Sequence, residues 1–441
     1  MKITRVATQL FFAAVIGVSF ASCGETDAEK TPDVVITRFV FPELKAREGK
    51  LAKTQEWEKT KTKVTEIMAK LNRNDKDEKA ILQLVQIYMQ EARVTGEHPY
   101  YYPAILKILD YDLSFNKKSF EALTYKASVL MSQHRFQEAF ETATKAKPLG
   151  RGNAYIYGVL TDANVELGKY EDAVKQCDSM QLLKPSLESY ARASYLREIY
   201  GDYKGSIEAM KLAVEAGLPA SEPYCWCRKT LGVLFENTGQ WNDAENEYLN
   251  ILAVRPDYAF AIEGLARVEK ARGNYDKAIE HLNKAIEIMP EFSFHEELAE
   301  IMLLQGKKDE AMEKYNATTK MLEEDKASGH IVNLDIANVY CALGDYNKAL
   351  DYVKMELEVR PQNIDVNGAA AWIYYKMGNK EKALEHIRIA KRTNSQQPLL
   401  NARAGIIEAN AGGDVKKGKE YLNAAKKVNP QLVALLEGKE A

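Results

Sequence analysis

An all-α solenoid of helical hairpins, about nine to ten repeats, is the fold this sequence predicts. Three recurrences predict it. A phrase Gly-x-aromatic-x-x-Ala returns along the body, a proline often follows its alanine by twelve residues, and a small residue often precedes that alanine by twelve. The phrase stands in full from Gly168 to Ala173, Gly239 to Ala244, Gly273 to Ala278 and Gly344 to Ala349, and weaker copies begin at His134, Gly201, Gly306, Gly378 and Gly413. Successive starts lie 34, 33, 38, 34, 33, 38, 34 and 35 residues apart. A register held that long marks units that bury their apolar faces only by stacking on one another.

Each recurrent position has a physical task. Glycine ends the first helix of a unit in a left-handed cap, and the aromatic fills the angle between the paired helices. Proline stops the second helix at Pro185, Pro256, Pro290, Pro361 and Pro430. The small residues Ala127, Ser194, Gly232, Ala266, Ala299, Ala337 and Ala371 let the first helix approach the second where a leucine would hold it off. Together these positions resemble the tetratricopeptide-repeat (TPR) consensus from Val85 to Pro430, which implies a right-handed superhelix.

A tenth, degenerate unit precedes these, with Ala92 and Ala104 in the small positions and Asn116 in place of proline. The two spacings of 38 put four extra residues near Leu218 to Pro223 and near Glu323 to Gly329. Unit junctions are where a solenoid tolerates insertions. Upstream, Val34 to Phe41 is a β-prone run, and Glu43 to Leu71 reads as a charged helix with Leu44, Leu51, Trp57, Val64, Met68 and Leu71 along one side.

The expected organisation is therefore a signal peptide at 1–22, an acylated tether at 23–42, a helical cap at 43–84, the superhelix at 85–430 and a tail at 431–441. The signal rests on Lys2 and Arg5 followed by the apolar run Leu10 to Val18, which is too short to span a bilayer. Phe20-Ala21-Ser22-Cys23 resembles the lipobox of Gram-negative bacterial lipoproteins, which implies a diacylated Cys23, although Phe20 replaces the usual leucine. An ordinary secretory peptide cleaved near Ala21 is the alternative. Gly24 after the cysteine implies, by the same resemblance, an outer-membrane protein facing the periplasm or the surface.

Composition excludes several classes. With 46% hydrophobic and 28% charged residues the chain buries a core, and its 60 basic and 63 acidic side chains are interspersed, so no basic stripe for nucleic acid arises. Four cysteines remain beyond Cys23. Cys225 and Cys227 point about 200° apart on a helix, which would strain a bridge, so buried free thiols are expected there and at Cys177 and Cys341. Neither paired Cys-x-x-Cys nor His-x-x-x-His spacing occurs near them, so no metal and no cofactor are expected.

No catalytic constellation emerges. The sequence lacks a Gly-x-Ser-x-Gly elbow and a phosphate loop, and His295-Glu296-Glu297 fails as a zinc helix because Ala299 stands where the second histidine belongs. The chain reads as a binding protein rather than an enzyme. The TPR resemblance implies that first helices line a concave groove, and its consensus offsets select Tyr155, Asp162, Tyr195, Trp226, Lys229, Phe260, Arg267, Asn338, Trp372, Tyr375 and Arg403. Aromatics and arginines are the residue types that dominate binding energy at interfaces. Arg267 is expected to be an exposed anchor on the wall it shares with Trp226 and Phe260.

The paired clamp positions read Lys229/Val233, Glu263/Arg267 and Leu334/Asn338, which departs from the carboxylate clamp of chaperone-tail binders. Two functions remain in view. One is an envelope scaffold anchored by lipid and holding a protein or peptide partner in the groove. The other is a glycan-binding lipoprotein of the starch-utilisation type, a family that interrupts its repeats with long loops.

Overall fold

A computed structural model describes residues 38–438; the signal and the acylation site Cys23 lie outside the described residues, as does most of the tether. From Val40 onward the described residues form one unit, the helical body.

The hairpins appear where the repeats place them. A leading helix α1 (Gln55–Leu71) precedes the pairs α2 (Glu78–Thr95) with α3 (His98–Phe115), α4 (Phe120–Ser132) with α5 (Phe136–Ala146), and α6 (Ala154–Glu166) with α7 (Tyr170–Leu183). Next come α8 (Leu187–Ile199) with α9 (Tyr203–Glu215), α10 (Glu222–Glu236) with α11 (Trp241–Val254), and α12 (Ala259–Ala271) with α13 (Tyr275–Ile288). The pairs α14 (Phe292–Leu304) with α15 (Lys308–Ala327), α16 (Asn333–Leu343) with α17 (Tyr346–Val359), α18 (Ile364–Lys376) with α19 (Lys380–Ala390), and α20 (Pro398–Asn410) with α21 (Val415–Val428) complete the series. A closing helix α22 spans Pro430–Glu437, and no strand occurs among the described residues.

The recurrent residues do what their chemistry requires. Left-handed backbone stands at Gly168, Gly201, Gly239, Gly273, Gly306, Gly344 and Gly378, and His134 takes the same conformation in the weak first copy. In the last copy the left-handed residue is Gly412, one place before the expected Gly413. The chain leaves α7, α11, α13, α17 and α21 through non-helical backbone at Lys184, Arg255, Met289, Arg360 and Asn429, the residues that precede the five prolines. The proline ring disfavours helical backbone one residue earlier, so each stop falls there. The small residues sit at the closest helix contacts: Ala127, Ala299, Ala337 and Ala371 are fully buried, and Ser194 Oγ meets Ser206 Oγ at 2.9 Å across one hairpin.

The two ends depart from expectation. Residues 40–48 are irregular rather than helical, because tertiary hydrogen bonds take their backbone groups: Tyr88 donates to the Pro42 carbonyl at 2.6 Å and Tyr100 to that of Glu43 at 2.6 Å. Arg47 is buried there in a forked pair with Glu91 at 2.6 and 2.8 Å. At the other end the expected tail is helix α22, folded back so that Val433 is buried and Gln431 donates to the Ala271 carbonyl at 2.9 Å.

That last bond belongs to a series. Gln133 accepts from the Ile331 backbone at 2.9 Å, the Glu166 carbonyl accepts from Asn363 at 3.0 Å, and the Gly168 carbonyl accepts from Arg392 at 2.6 Å. Arg360 bridges to Glu166 at 2.7 Å across 194 residues of sequence. In each case a glycine-side turn of an early unit meets a proline-side loop of a later one. Roughly six units of about 34 residues therefore complete one turn, and the next turn stacks directly beneath it. The insertion at Glu323 to Gly329 serves this seam by lengthening α15 and delivering His330 and Ile331 to Gln133 and His134.

Candidate functional site

Closure of the first turn encloses a lumen. The inner helices α4, α6, α8, α10 and α12 wall a partly enclosed cavity of about 1660 Å³, completed by residues 46–51, the start of α3, the α13–α14 junction and the end of α15. It is acidic and aromatic: eleven carboxylates line it against four arginine or lysine side chains.

Five of the expected groove residues, Tyr155, Asp162, Tyr195, Trp226 and Phe260, line this cavity. Trp226 and Tyr195 keep 47% and 42% of their surface exposed, unusual for large aromatic rings on an inward wall. Asp162 is held by Arg192 in a forked pair at 2.6 and 2.9 Å, so its charge is already matched. The hydroxyl of Tyr155 is engaged by Ser128 at 2.8 Å. Lys229 lies over the Phe260 ring, 5.9 Å from its centroid.

The other expected residues fall elsewhere. Arg267 is not an exposed anchor: it pairs with Glu263 and with Glu236 at 2.9 Å and donates to the Tyr248 hydroxyl at 3.2 Å, clamping α10, α11 and α12. Trp372 is only 6% exposed and stacks on Tyr375 at 5.5 Å inside a core cluster. Asn338 is half-buried on α16, and Arg403 points its Nε into protein without a hydrogen-bond partner. These three helices belong to the second turn, where α18 and α20 are buried on nearly every side.

Several wall residues escaped the consensus offsets. Glu166 and Glu198 sit at the last turn of α6 and α8, within one helical turn of Asp162 and Tyr195, so extending the offsets by a turn would have found them. His98, Glu291, Asp325 and His330 reach the lumen only because the first turn closes, and nothing local in the sequence signals that.

Enclosure alters the ionisation of these groups. Burial raises Glu166 to about 7 against the pull of Arg360, and burial helped by Asp325 raises Glu291 to about 7. Burial raises Asp325 to about 6, and raises Glu198 and Glu222 as well. His98 is lowered to about 4 and His330 to about 3 by burial, so both are neutral near pH 7. Cys225 and Cys227 are free and buried, and burial lifts their thiols to about 11 and about 12, which leaves them unreactive. Among the described residues no group of His, Cys, Asp and Glu side chains is placed to hold a metal ion, and no helix is long and apolar enough to cross a membrane.

Comparison with known proteins agrees with the repeat. Residues 230–292 match the family described as Tetratricopeptide repeat. No curated protein matches the chain. Among solved structures, a tetratricopeptide repeat protein from Parabacteroides merdae is similar at 16% identity, over 57% of this chain and 98% of that one, with a TM-score of 0.41. YrrB, described as a TPR protein with an unusual peptide-binding site, is similar at 20% identity over 42% of this chain and 94% of its own, with a TM-score of 0.29. A human IFIT1 dimer with PPP-AAAA is similar at 17% identity over 67% and 69% of the two chains, with a TM-score of 0.44.

Proposed function

We propose that this helical-repeat protein is a lipid-anchored scaffold of the Gram-negative cell envelope that holds a segment of a protein partner in the lumen of its first turn. The observation that carries the reading is the pair Trp226 and Tyr195, large aromatic rings left half exposed on the wall of a cavity of about 1660 Å³. Aromatic side chains in a confined, largely dehydrated wall are the usual hot spots of a protein interface. Anchoring rests on the apolar signal and the small residues before Cys23. A glycan ligand is the weaker reading, since the four-residue insertion at Glu323 to Gly329 lengthens a helix rather than building a sugar platform.

A photo-crosslinking amino acid in place of Tyr195 tests the groove. It should capture a discrete partner from envelope membranes, whereas the same group at Leu182, which is 87% exposed, should not. Capture from Leu182 alone would move the interface to another face. Labelled palmitate should enter the native chain and not Cys23→Ala; equal labelling of the two would remove the anchor.

A further inference from the structure

Charge on the lumen wall is unbalanced in one direction. Of its four cations, Arg47 is paired with Glu91 at 2.6 Å, Lys50 with Asp257 at 3.6 Å and Arg192 with Asp162 at 2.6 Å, which leaves Arg93. Glu198, Glu222, Glu291 and Asp325 have no arginine or lysine within ion-pair distance among the described residues. Glu198 accepts hydrogen bonds only from the neutral Tyr203 hydroxyl at 3.3 Å and the Asn237 amide at 3.1 Å. Enclosed carboxylates without a paired counter-charge are costly, and their raised pKa values express that cost, at Glu222 even against the pull of Arg93 and Arg255.

Two independent features of the same wall call for a ligand. Both ring nitrogens of His330 are buried without a hydrogen-bond partner, an uncommon state for a native polar group. Trp226 and Tyr195 stay half exposed on this wall, and aromatic rings attract cations to their faces through their quadrupoles. The cavity, about 1660 Å³, exceeds the roughly 300–1,000 Å³ of small-molecule sites. The unpaired carboxylates come from four different parts of the wall, on α8, α10, the cap of α14 and α15, so they suit several cations strung along a chain.

We infer that the segment held in the lumen is a lysine- or arginine-bearing stretch of polypeptide, its cations received by Glu198, Glu222, Glu291 and Asp325 and by the faces of Trp226 and Tyr195. This rests on the lumen as the binding site and adds the chemistry of the partner. Ammonium and guanidinium groups supply the missing counter-charge, and charge-assisted hydrogen bonds in an enclosed site are stronger than neutral ones. The basic stretch is read by charge and aromatic faces rather than by a terminal carboxylate, in keeping with the absent clamp.

Fluorescence anisotropy on the full-length chain in detergent tests this with a labelled dodecapeptide of alternating lysine and alanine, beside a version carrying glutamine for lysine. The lysine peptide should bind at least about tenfold more tightly, the effect of one or two charge-assisted contacts. That preference should vanish in a Glu222→Gln, Glu291→Gln, Asp325→Asn variant. Because these changes relieve repulsion, the variant should melt no lower than the native chain, and circular dichroism checks it. If both peptides bind equally and lose binding in Trp226→Ala, the lumen reading survives and the cationic partner is wrong. Lysine-peptide binding that ignores both Trp226→Ala and the carboxylate variant overturns both. No measurable binding of the lysine peptide overturns the inference.

Discussion

Gly168 and Gly344 occupy the same place in the repeat phrase and adopt nearly the same left-handed backbone, with φ of 71° and 81°, yet they do different work. A Cβ on Gly168 would lie 2.4 Å from the backbone of Gln362 in the next turn, whereas one on Gly344 would meet nothing within 4 Å. The first turn of the solenoid is covered by a second, and among the described residues none covers the second at Gly344. The same local rule thus acts twice at Gly168 and Gly201, as a helix cap and as a seat for the stacked turn. Inner helices show the converse. Those of the first turn leave Tyr195 and Trp226 exposed to a lumen, while α18 and α20 are buried on nearly every side, down to Trp372.

The largest effect should come from the seam. Arg360 is buried between Glu166 and Glu356 and lies 4.7 Å from the Phe136 ring centroid, so Arg360→Ala strands two enclosed carboxylates. It should cost about 3–5 kcal/mol in chemical denaturation and enlarge the radius of gyration in solution scattering. An unchanged radius with small destabilisation would mean that the two turns do not depend on this pair.

The two glycines sharpen the comparison at intermediate cost. Gly344→Ala should lose about 1–2 kcal/mol, the strain of a left-handed alanine. Gly168→Ala should lose about 2 kcal/mol beyond that, because the neighbouring backbone must retreat from an overpacked contact. Equal losses in matched urea titrations would show that the stacked seam is open in solution.

A further effect, confined to one pH range, separates lumen from core. Glu291 faces Asp325 on α15, Asp335 on α16, Glu263 on α12 and the hydroxyl of Tyr102 on α3, and its pKa of about 7 lies above the ordinary carboxylate value of roughly 4.3. A raised folded pKa contributes stability below the unfolded value that is lost as pH rises through about 7. Glu291→Gln should therefore match the native chain near pH 4 and exceed it above pH 7, by up to about 3 kcal/mol. Comparing the two chains cancels the opposing titration of His98 and His330. A gain that is flat with pH would show that Glu291 is ordinarily solvated.

The hairpins, their caps and their stops were legible because each depends on residues a few positions apart: a glycine for left-handed backbone, a proline for a stop, small residues for close helix approach. The sequence by itself therefore determined the repeat, the two insertion points and five of the residues that line the lumen. It did not determine how far the solenoid winds. Small rotations add from unit to unit, and only the assembled curve brings His330 to His134, Arg360 to Glu166 and the α13–α14 junction to Gly96. Tertiary structure decided that Arg267 is a clamp, that Trp372 is core and that Glu291 and Asp325 line the lumen. The same inward position of a repeat faces the cavity at Trp226 and is packed among the side chains of α16 to α21 at Trp372, and the curvature summed over the units decides which.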